Sequence, residues 1–219
     1  MNREIDRLQT FLAHSFNNIE LAPALFYAWQ PGIRFEISDP YQSYGEPGHL
    51  VQAFERSTAL FDAVFDEEDE VLFVTDINVP WNNPFLHKKP LNVYGKYIKQ
   101  PQALYRLRLE NVQLSEFDEG DITTYRFSYA CRKNDIRYPQ LLRAICYEDF
   151  GHPSRILKNK QSSCDIYFIN LSKKLIYHLY DDRGCDIIAA DKEGIRYLYD
   201  RFNDWILDYD REKIEKVFK

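Results

Sequence analysis

Three consecutive charged residues near the C-terminus are the clearest candidates for chemistry. Asp181, Asp182 and Arg183 stand in a short turn ahead of Gly184, which we expect to supply a positive φ there. Two carboxylates at a strand end could bind a divalent cation, and an arginine could bind phosphate. Adjacent residues of an extended chain point to opposite faces, however, so both carboxylates do not easily reach one ion. The sequence therefore favours a turn in which an aspartate accepts from nearby amides and Arg183 pairs with an acid.

The remaining acids and histidines form no recognised catalytic or metal-binding motif. The acidic run at residues 66–70 lacks the alternating ligands and central glycine of a calcium loop, which favours a solvated linker. The chain has no G-x-S-x-G, P-loop, G-x-G-x-x-G or H-E-x-x-H motif, and its five histidines are scattered: His14, His49, His87, His152 and His178. His178, within a predicted strand, is most simply a packed or paired side chain. We therefore assign no catalytic residue, no metal ligand and no cofactor, and the sequence points away from an enzyme without excluding one.

A proline-rich stretch provides the best candidate for a contact surface. Residues 79–101 predict a long irregular loop, and such loops often carry function. Within it, prolines flank a set of residues suited to anchoring a protein partner: Trp81, Asn82, Asn83 and Phe85. An equally good interpretation is that Trp81 packs inward and pins the loop.

Composition limits the class of partner. Hydrophobic residues make up 45% of the 219 residues, which excludes a wholly disordered chain. The 16 tyrosines and 15 phenylalanines suit a packed core, which we favour, or a recognition surface. A formal charge of −6 argues against a general nucleic-acid binder and permits a basic protein partner.

The cysteines and the apolar runs indicate where the protein works. The four cysteines are widely spaced and without a C-x-x-C pair, so we expect reduced, buried thiols. We find no signal peptide and no apolar run long enough to span a membrane. The sequence predicts a cytoplasmic protein and leaves its oligomeric state open.

The elements that must position these residues are clearest in the C-terminal fifth. Residues 165–171, 175–180 and 185–190 are apolar or alternating runs separated by polar turns, which predicts a three-stranded meander. A helix capped by Asp191 and continuing to Ile206 should cover this meander.

The rest of the chain alternates helical and extended patterns. Helices are predicted at residues 1–16, 50–65 and 138–150, and strands at residues 33–37, 71–74, 104–109 and 123–131. The strand at 33–37 should have one polar face. We predict an α+β fold, in which a mostly antiparallel mixed sheet is flanked by helices and ends in the meander plus helix. We expect a single domain over residues 1–219, with possible sub-units at 1–100 and 101–219.

Two C-terminal segments resemble the motif of an uncharacterised bacterial domain family of unknown function. They are YDDRG at Tyr180–Gly184 and DWILDYDRE at Asp204–Glu212. Ile33–Glu36 and the helix around Glu55 and Arg56 resemble its N-terminal half, so the likeness covers most of the chain. The family has no established activity, but some members resemble orphan immunity proteins of polymorphic toxin systems.

Together these observations predict a non-enzymatic protein-binding module, and the resemblance implies an immunity-type inhibitor whose partner is a toxin domain. The candidate contact residues are those around Trp81 and the turn Asp181–Arg183. The alternative is a metal-dependent hydrolase or nuclease-like enzyme that uses Asp181 and Asp182.

Overall fold

The computed structural model describes residues 7–42, 46, 48–80, 92–117, 121–150, 152–154, 156 and 163–219. Its helices are α1 (Arg7–Phe16), α2 (Leu25–Ala28), α3 (His49–Val64), α4 (Asn92–Tyr97), α5 (Tyr138–Cys146), α6 (Glu193–Arg201) and α7 (Asp208–Phe218). Its strands are β1 (Gly32–Glu36), β2 (Val71–Pro80), β3 (Arg108–Val112), β4 (Ile122–Cys131), β5 (Ser163–Asn170), β6 (Leu175–Leu179) and β7 (Gly184–Ala189).

The strands form one seven-stranded sheet in the order β1-β7-β6-β5-β2-β4-β3. Every neighbouring pair is antiparallel. The α+β class is therefore confirmed, and β5, β6 and β7 form the predicted meander. Strand β2 lies inside the sheet and continues to Pro80, well past the four residues predicted for it. Its second half carries Asp76 and Asn78, polar residues that hide the strand from an apolar pattern although both are buried.

One face of the sheet packs against most of the helices through aromatic side chains. The Phe61 ring of α3 lies with its centroid 4.5 Å from that of Phe65, 4.9 Å from Phe168 and 5.4 Å from Tyr177. All four side chains are fully buried, and burial of such a side chain stabilises the fold by roughly 1.5–3 kcal/mol. Much of the aromatic content therefore builds this core.

The opposite face, which we call the N-terminal face, is covered by α1 and the segment that follows it. Leu8, Leu12 and Phe16 of α1 pack in a second cluster with Val74 and Ile176 of the sheet. None of the helices in the described ranges is long and apolar enough to cross a membrane.

Several other predicted element boundaries are wrong, including that of the helix expected over residues 138–150, which ends at Cys146. The helix expected to reach Ile206 ends at Arg201, and Asn203–Trp205 forms a separate 3₁₀ turn. Pro101–Arg106 also forms a 3₁₀ turn, because a proline fits the start of a helix. Strand β3 therefore begins at Arg108 and not at residue 104 as predicted. Finally, residues 92–97 of the expected long loop are helical.

Candidate functional site

The charged turn at residues 181–184 is internally hydrogen-bonded. The Asp181 carboxylate accepts from the Arg183 backbone N–H and from its Nε, each at 2.7 Å. Arg183 also contacts Asp149 at 3.2 Å. Across the described residues, no three histidine, cysteine, aspartate or glutamate side chains are grouped to hold a metal ion. The geometry thus matches a turn capped by its own aspartate.

Gly184 has a different role from the one the sequence suggested. It begins β7 in ordinary extended backbone, so the expected positive φ is wrong. A Cβ placed on Gly184 would lie 1.8 Å from the hydroxyl oxygen of Tyr180. The glycine is therefore required for the close approach of the Tyr180 ring.

The second group of sequence candidates cannot be placed. Trp81, Asn82, Asn83 and Phe85 lie outside the described residues.

A feature that the sequence reasoning missed is a line of polar side chains across the N-terminal face. In register, Asp186 lies opposite both Arg34 and His178, and Asp76 lies opposite both Arg126 and Asp165. Together with a tyrosine of β5 these residues form what we call the polar row: Arg34, Asp186, His178, Tyr167, Asp165, Asp76 and Arg126. The polar face expected of the first strand is therefore covered, because Arg34 is buried.

Two buried Arg–Asp pairs form the ends of the polar row. Arg34 Nε donates to Asp186 Oδ1 at 2.7 Å, and its NH2 donates to Oδ2 at 3.0 Å. Arg126 makes the same two-bonded contact with Asp76, with its Nε 2.7 Å from Oδ1. Burial raises the pKa of the Asp76 carboxyl, although the Arg126 guanidinium opposes this by favouring the carboxylate.

Each pair also holds the N-terminal segment against the sheet. The backbone N–H of Phe26 donates to Asp186 at 3.0 Å, and Arg126 donates to the carbonyl oxygen of Leu21 at 3.0 Å. These contacts satisfy polar backbone groups in a segment that has little regular structure of its own.

Between the two pairs lie polar atoms without partners. His178 and Tyr167 have no exposed surface, and among the described residues neither ring nitrogen of His178 nor the Tyr167 hydroxyl has a hydrogen-bond partner. His178 Nε2 stands 3.9 Å from Asp165 Oδ1, beyond hydrogen-bond distance. The other oxygen of Asp165 accepts from Asn78 at 3.0 Å. His178 is thus packed, as expected, but not hydrogen-bonded.

A second feature is an exposed surface beside strand β1, which we call the tyrosine–acid face. It comprises three exposed tyrosines and three acids: Tyr27, Tyr41, Tyr209, Glu36, Asp39 and Asp208. Tyr41 and Tyr209 are 95% and 86% exposed, and Tyr27 is half exposed. Burial raises the pKa of Glu36; the charge of Arg56 opposes this, and the charges of Asp208 and Asp39 add to it.

Tyr27 is held rigidly in the tyrosine–acid face. Its hydroxyl donates to both oxygens of Asp210 at 3.0 and 3.1 Å, and the Arg34 guanidinium lies 4.4 Å from its ring centroid. Burial and the hydrogen bond to Asp210 raise the pKa of Tyr27. Because Arg34 belongs to the polar row, the buried pair and the exposed tyrosine are in direct contact.

A pocket of about 230 Å³ lies beside Val71, where β2 begins. Its lining includes Arg7, Glu70, Cys131 and Arg132. Its charges are paired, with Arg7 2.8 Å from Glu70. Burial raises the pKa of the Cys131 thiol, which makes it a poor nucleophile. We assign no function to this pocket.

Comparison with known proteins identifies the class. The family model described as "Domain of unknown function (DUF3885)" matches residues 8–210, and the chain belongs to this family. The chain is similar to "Uncharacterized protein YnaE" of Bacillus subtilis (strain 168), with 28% identity over 214 residues that cover 91% of this chain and 96% of that protein. No solved structure matches the chain.

Proposed function

We propose that this protein is a non-enzymatic, cytoplasmic binding module that recognises a basic protein surface through the tyrosine–acid face. Within that proposal, its action is that of an immunity-type inhibitor, which covers the working surface of a toxin domain. The observation that carries the proposal is the presence of three exposed tyrosines beside clustered carboxylates.

Tyrosine suits such a face because it buries a large area and still offers a hydroxyl. Tyr27 is already ordered by Asp210 and Arg34, so its binding costs little side-chain entropy. Asp208 and Tyr209 begin α7, and the Asp208 side chain is 94% exposed.

Charge gives the face its preference among partners. Asp208 pairs with Arg211 at 3.0 Å, and Arg56 acts on Glu36 and Asp39, so these acids are partly neutralised within the chain. Their accessible oxygens would still complement lysine and arginine side chains and speed their approach. The formal charge of −6 acts in the same direction and disfavours nucleic acid. We therefore expect a protein partner with a basic surface.

The alternative, a metal-dependent hydrolase or nuclease-like enzyme using Asp181 and Asp182, has less support. The Asp181 carboxylate is already engaged by Arg183 through both of its oxygens. A metal ion at this turn would have to displace that arginine.

The proposal is tested by affinity capture from native lysate with the tagged full chain. A double variant, Tyr41→Ser with Tyr209→Ser, removes two anchors of the face. Tyr105→Ser is the matched control, because Tyr105 is 92% exposed and lies next to β3, at the opposite edge of the sheet from β1.

We expect wild type and the Tyr105→Ser control to retain one stoichiometric partner that is released by moderate salt, and the double variant to lose it. Equal melting temperatures for all three proteins would show that the fold is intact. A partner held equally by the double variant would contradict the assignment of the face. A protein that is captured alone and carries a divalent metal would favour the enzyme alternative.

A further inference from the structure

The centre of the polar row contains buried polar atoms that accept or donate no hydrogen bond within the part of the chain that the structure describes. Such atoms are rare in folded proteins, because each costs about 1–3 kcal/mol if it stays without a partner. Here three atoms share one place: both ring nitrogens of His178 and the hydroxyl of Tyr167. Asp165 stands beside them, and only 18% of its side chain is exposed.

The short distance between His178 and Asp165 limits what can lie between them. His178 and Tyr167 have no exposed surface, and the separation of 3.9 Å between His178 Nε2 and Asp165 Oδ1 is too short for an intervening water molecule. A proton needs no cavity. We propose that His178 and Asp165 together hold one exchangeable proton in the folded protein, which makes this part of the polar row a proton-binding site.

The charges around Asp165 favour a proton on this pair. The carboxyl lies opposite Asp76 of β2, and the charges of Glu116 and Glu148 act on it in the same direction, while its hydrogen-bond donor Asn78 is neutral. The guanidinium of Arg126 is hydrogen-bonded to Asp76. Asp165 therefore has no cationic partner of its own among the described residues.

The charged groups around His178 are two acids and one base, in addition to Asp165. Asp186 faces it from β7 and Asp181 from the following turn, whereas Arg34 faces it from β1. The rings of Tyr167 and Tyr180 complete its surroundings, with centroids 4.4 and 5.9 Å away. One proton on the pair offsets the negative charge of Asp165, whereas a separate charge on the fully buried imidazole is disfavoured by burial.

The direction of the two pKa shifts agrees with a single shared proton. Burial, followed by the charges of Asp76 and Glu116, raises the pKa of Asp165 to about 7. Burial lowers the pKa of His178 to about 4. In the unfolded chain the order is reversed, with aspartate near 3.9 and histidine near 6.5. Between about pH 4 and pH 6.5 the folded and the unfolded chain each bind one proton on this pair. The folded chain carries it on Asp165, and the unfolded chain carries it on His178.

The consequences for stability have opposite signs. Asp165 has a raised pKa, so its contribution is present at acid pH and is lost as the pH rises toward 7. His178 has a lowered pKa, so its contribution is present above about pH 6.5 and is lost as the pH falls toward 4. In the intact pair the two effects cancel, and each becomes visible when the other residue is removed.

The test is urea unfolding at pH 5 and pH 7 of the full chain and three variants: His178→Gln, Asp165→Asn and the double variant. Relative to the double variant, we expect the unfolding constant of His178→Gln to rise about 50-fold from pH 5 to pH 7. That of Asp165→Asn should fall about 20-fold, and that of wild type should change less than about threefold. A wild-type change as large as that of either single variant would overturn the proposal.

A measurement on the wild type keeps the proposal testable if a variant does not fold. Nuclear magnetic resonance should show the nitrogens of His178 in the neutral form at pH 5.5 and the Asp165 carboxyl carbon titrating above pH 6. A pair that carries two protons, or none, at pH 5.5 would refute a single proton on His178 and Asp165.

Discussion

Replacing Arg126 with methionine tests whether the polar row holds the fold together. The substitution keeps much of the apolar stem but removes the guanidinium, and with it two hydrogen bonds to Asp76 and one to the carbonyl oxygen of Leu21. Asp76 has no exposed surface, so its carboxylate would remain buried and uncompensated. Breaking a buried ion pair in this way typically costs about 3–5 kcal/mol.

That loss is a large fraction of the total free energy of unfolding of a domain. Domains have a free energy of unfolding of about 5–15 kcal/mol. With a urea slope of about 2–3 kcal/mol/M, a loss of about 4 kcal/mol lowers the unfolding midpoint by roughly 1.3–2 M. The deficit of Arg126→Met should shrink at acid pH. Without Arg126 the folded pKa of Asp76 stands further above its unfolded value, so stability is present at low pH and lost as the pH rises.

Two further variants isolate the cause. Adding Asp76→Leu to Arg126→Met removes the stranded charge, so the double variant should recover part of the lost stability. Arg132→Met is the matched control, since Arg132 forms an exposed pair with Glu68 and should contribute less than about 1 kcal/mol. An Arg126→Met variant as stable as the Arg132→Met control would refute the role given to the polar row.

Two other predictions concern packing and helix capping. Gly184→Ala should destabilise the protein by about 1–3 kcal/mol, because the added methyl group meets the Tyr180 hydroxyl. Gly95→Ala in α4 should stabilise the protein by up to about 1 kcal/mol, because its methyl group meets no atom within 4 Å. Thermal unfolding of both variants would check this, and equal effects would be inconsistent with close packing at Gly184. Asn170→Ala should lower the free energy of urea unfolding by about 1–3 kcal/mol, because the side chain donates to the Val64 carbonyl oxygen at the end of α3. A change below about 0.5 kcal/mol would contradict that capping role.

The sequence predicted those elements whose apolar pattern follows their own geometry. The meander was predicted because β5, β6 and β7 are separated by short polar turns, and α3 was predicted because Leu50, Phe54 and Phe61 recur at helical spacing. Such local patterns depend only on residues close in the chain.

The polar row escaped prediction because its members pair over long separations. Arg34 and Asp186 are 152 positions apart, and Arg126 and Asp76 are 50 apart. A charged residue in an alternating strand suggests a solvent-facing side, whereas here the N-terminal segment covers it. One signal was available: Asp186 stands alone inside the apolar strand β7, and a buried charge needs a partner.

The tyrosine–acid face escaped for a similar reason. Tyr27 and Asp210 are 183 positions apart in the chain and meet only after folding. A partial signal lay in the motif segment Asp204–Glu212, which places exposed Asp208 and Tyr209 beside buried Asp210. The family resemblance marks this segment as a shared motif, but it does not indicate which of its residues are exposed.

The most direct test of the proposed function is the dissociation constant of the captured partner for wild type, the Tyr41→Ser/Tyr209→Ser variant and the Tyr105→Ser control. Loss of two anchors of about 1 kcal/mol each weakens binding by about 30-fold. We predict that weakening for the double variant, a change below about threefold for the control, and weaker binding by wild type as salt is raised. Equal affinities for all three proteins would contradict binding through the tyrosine–acid face.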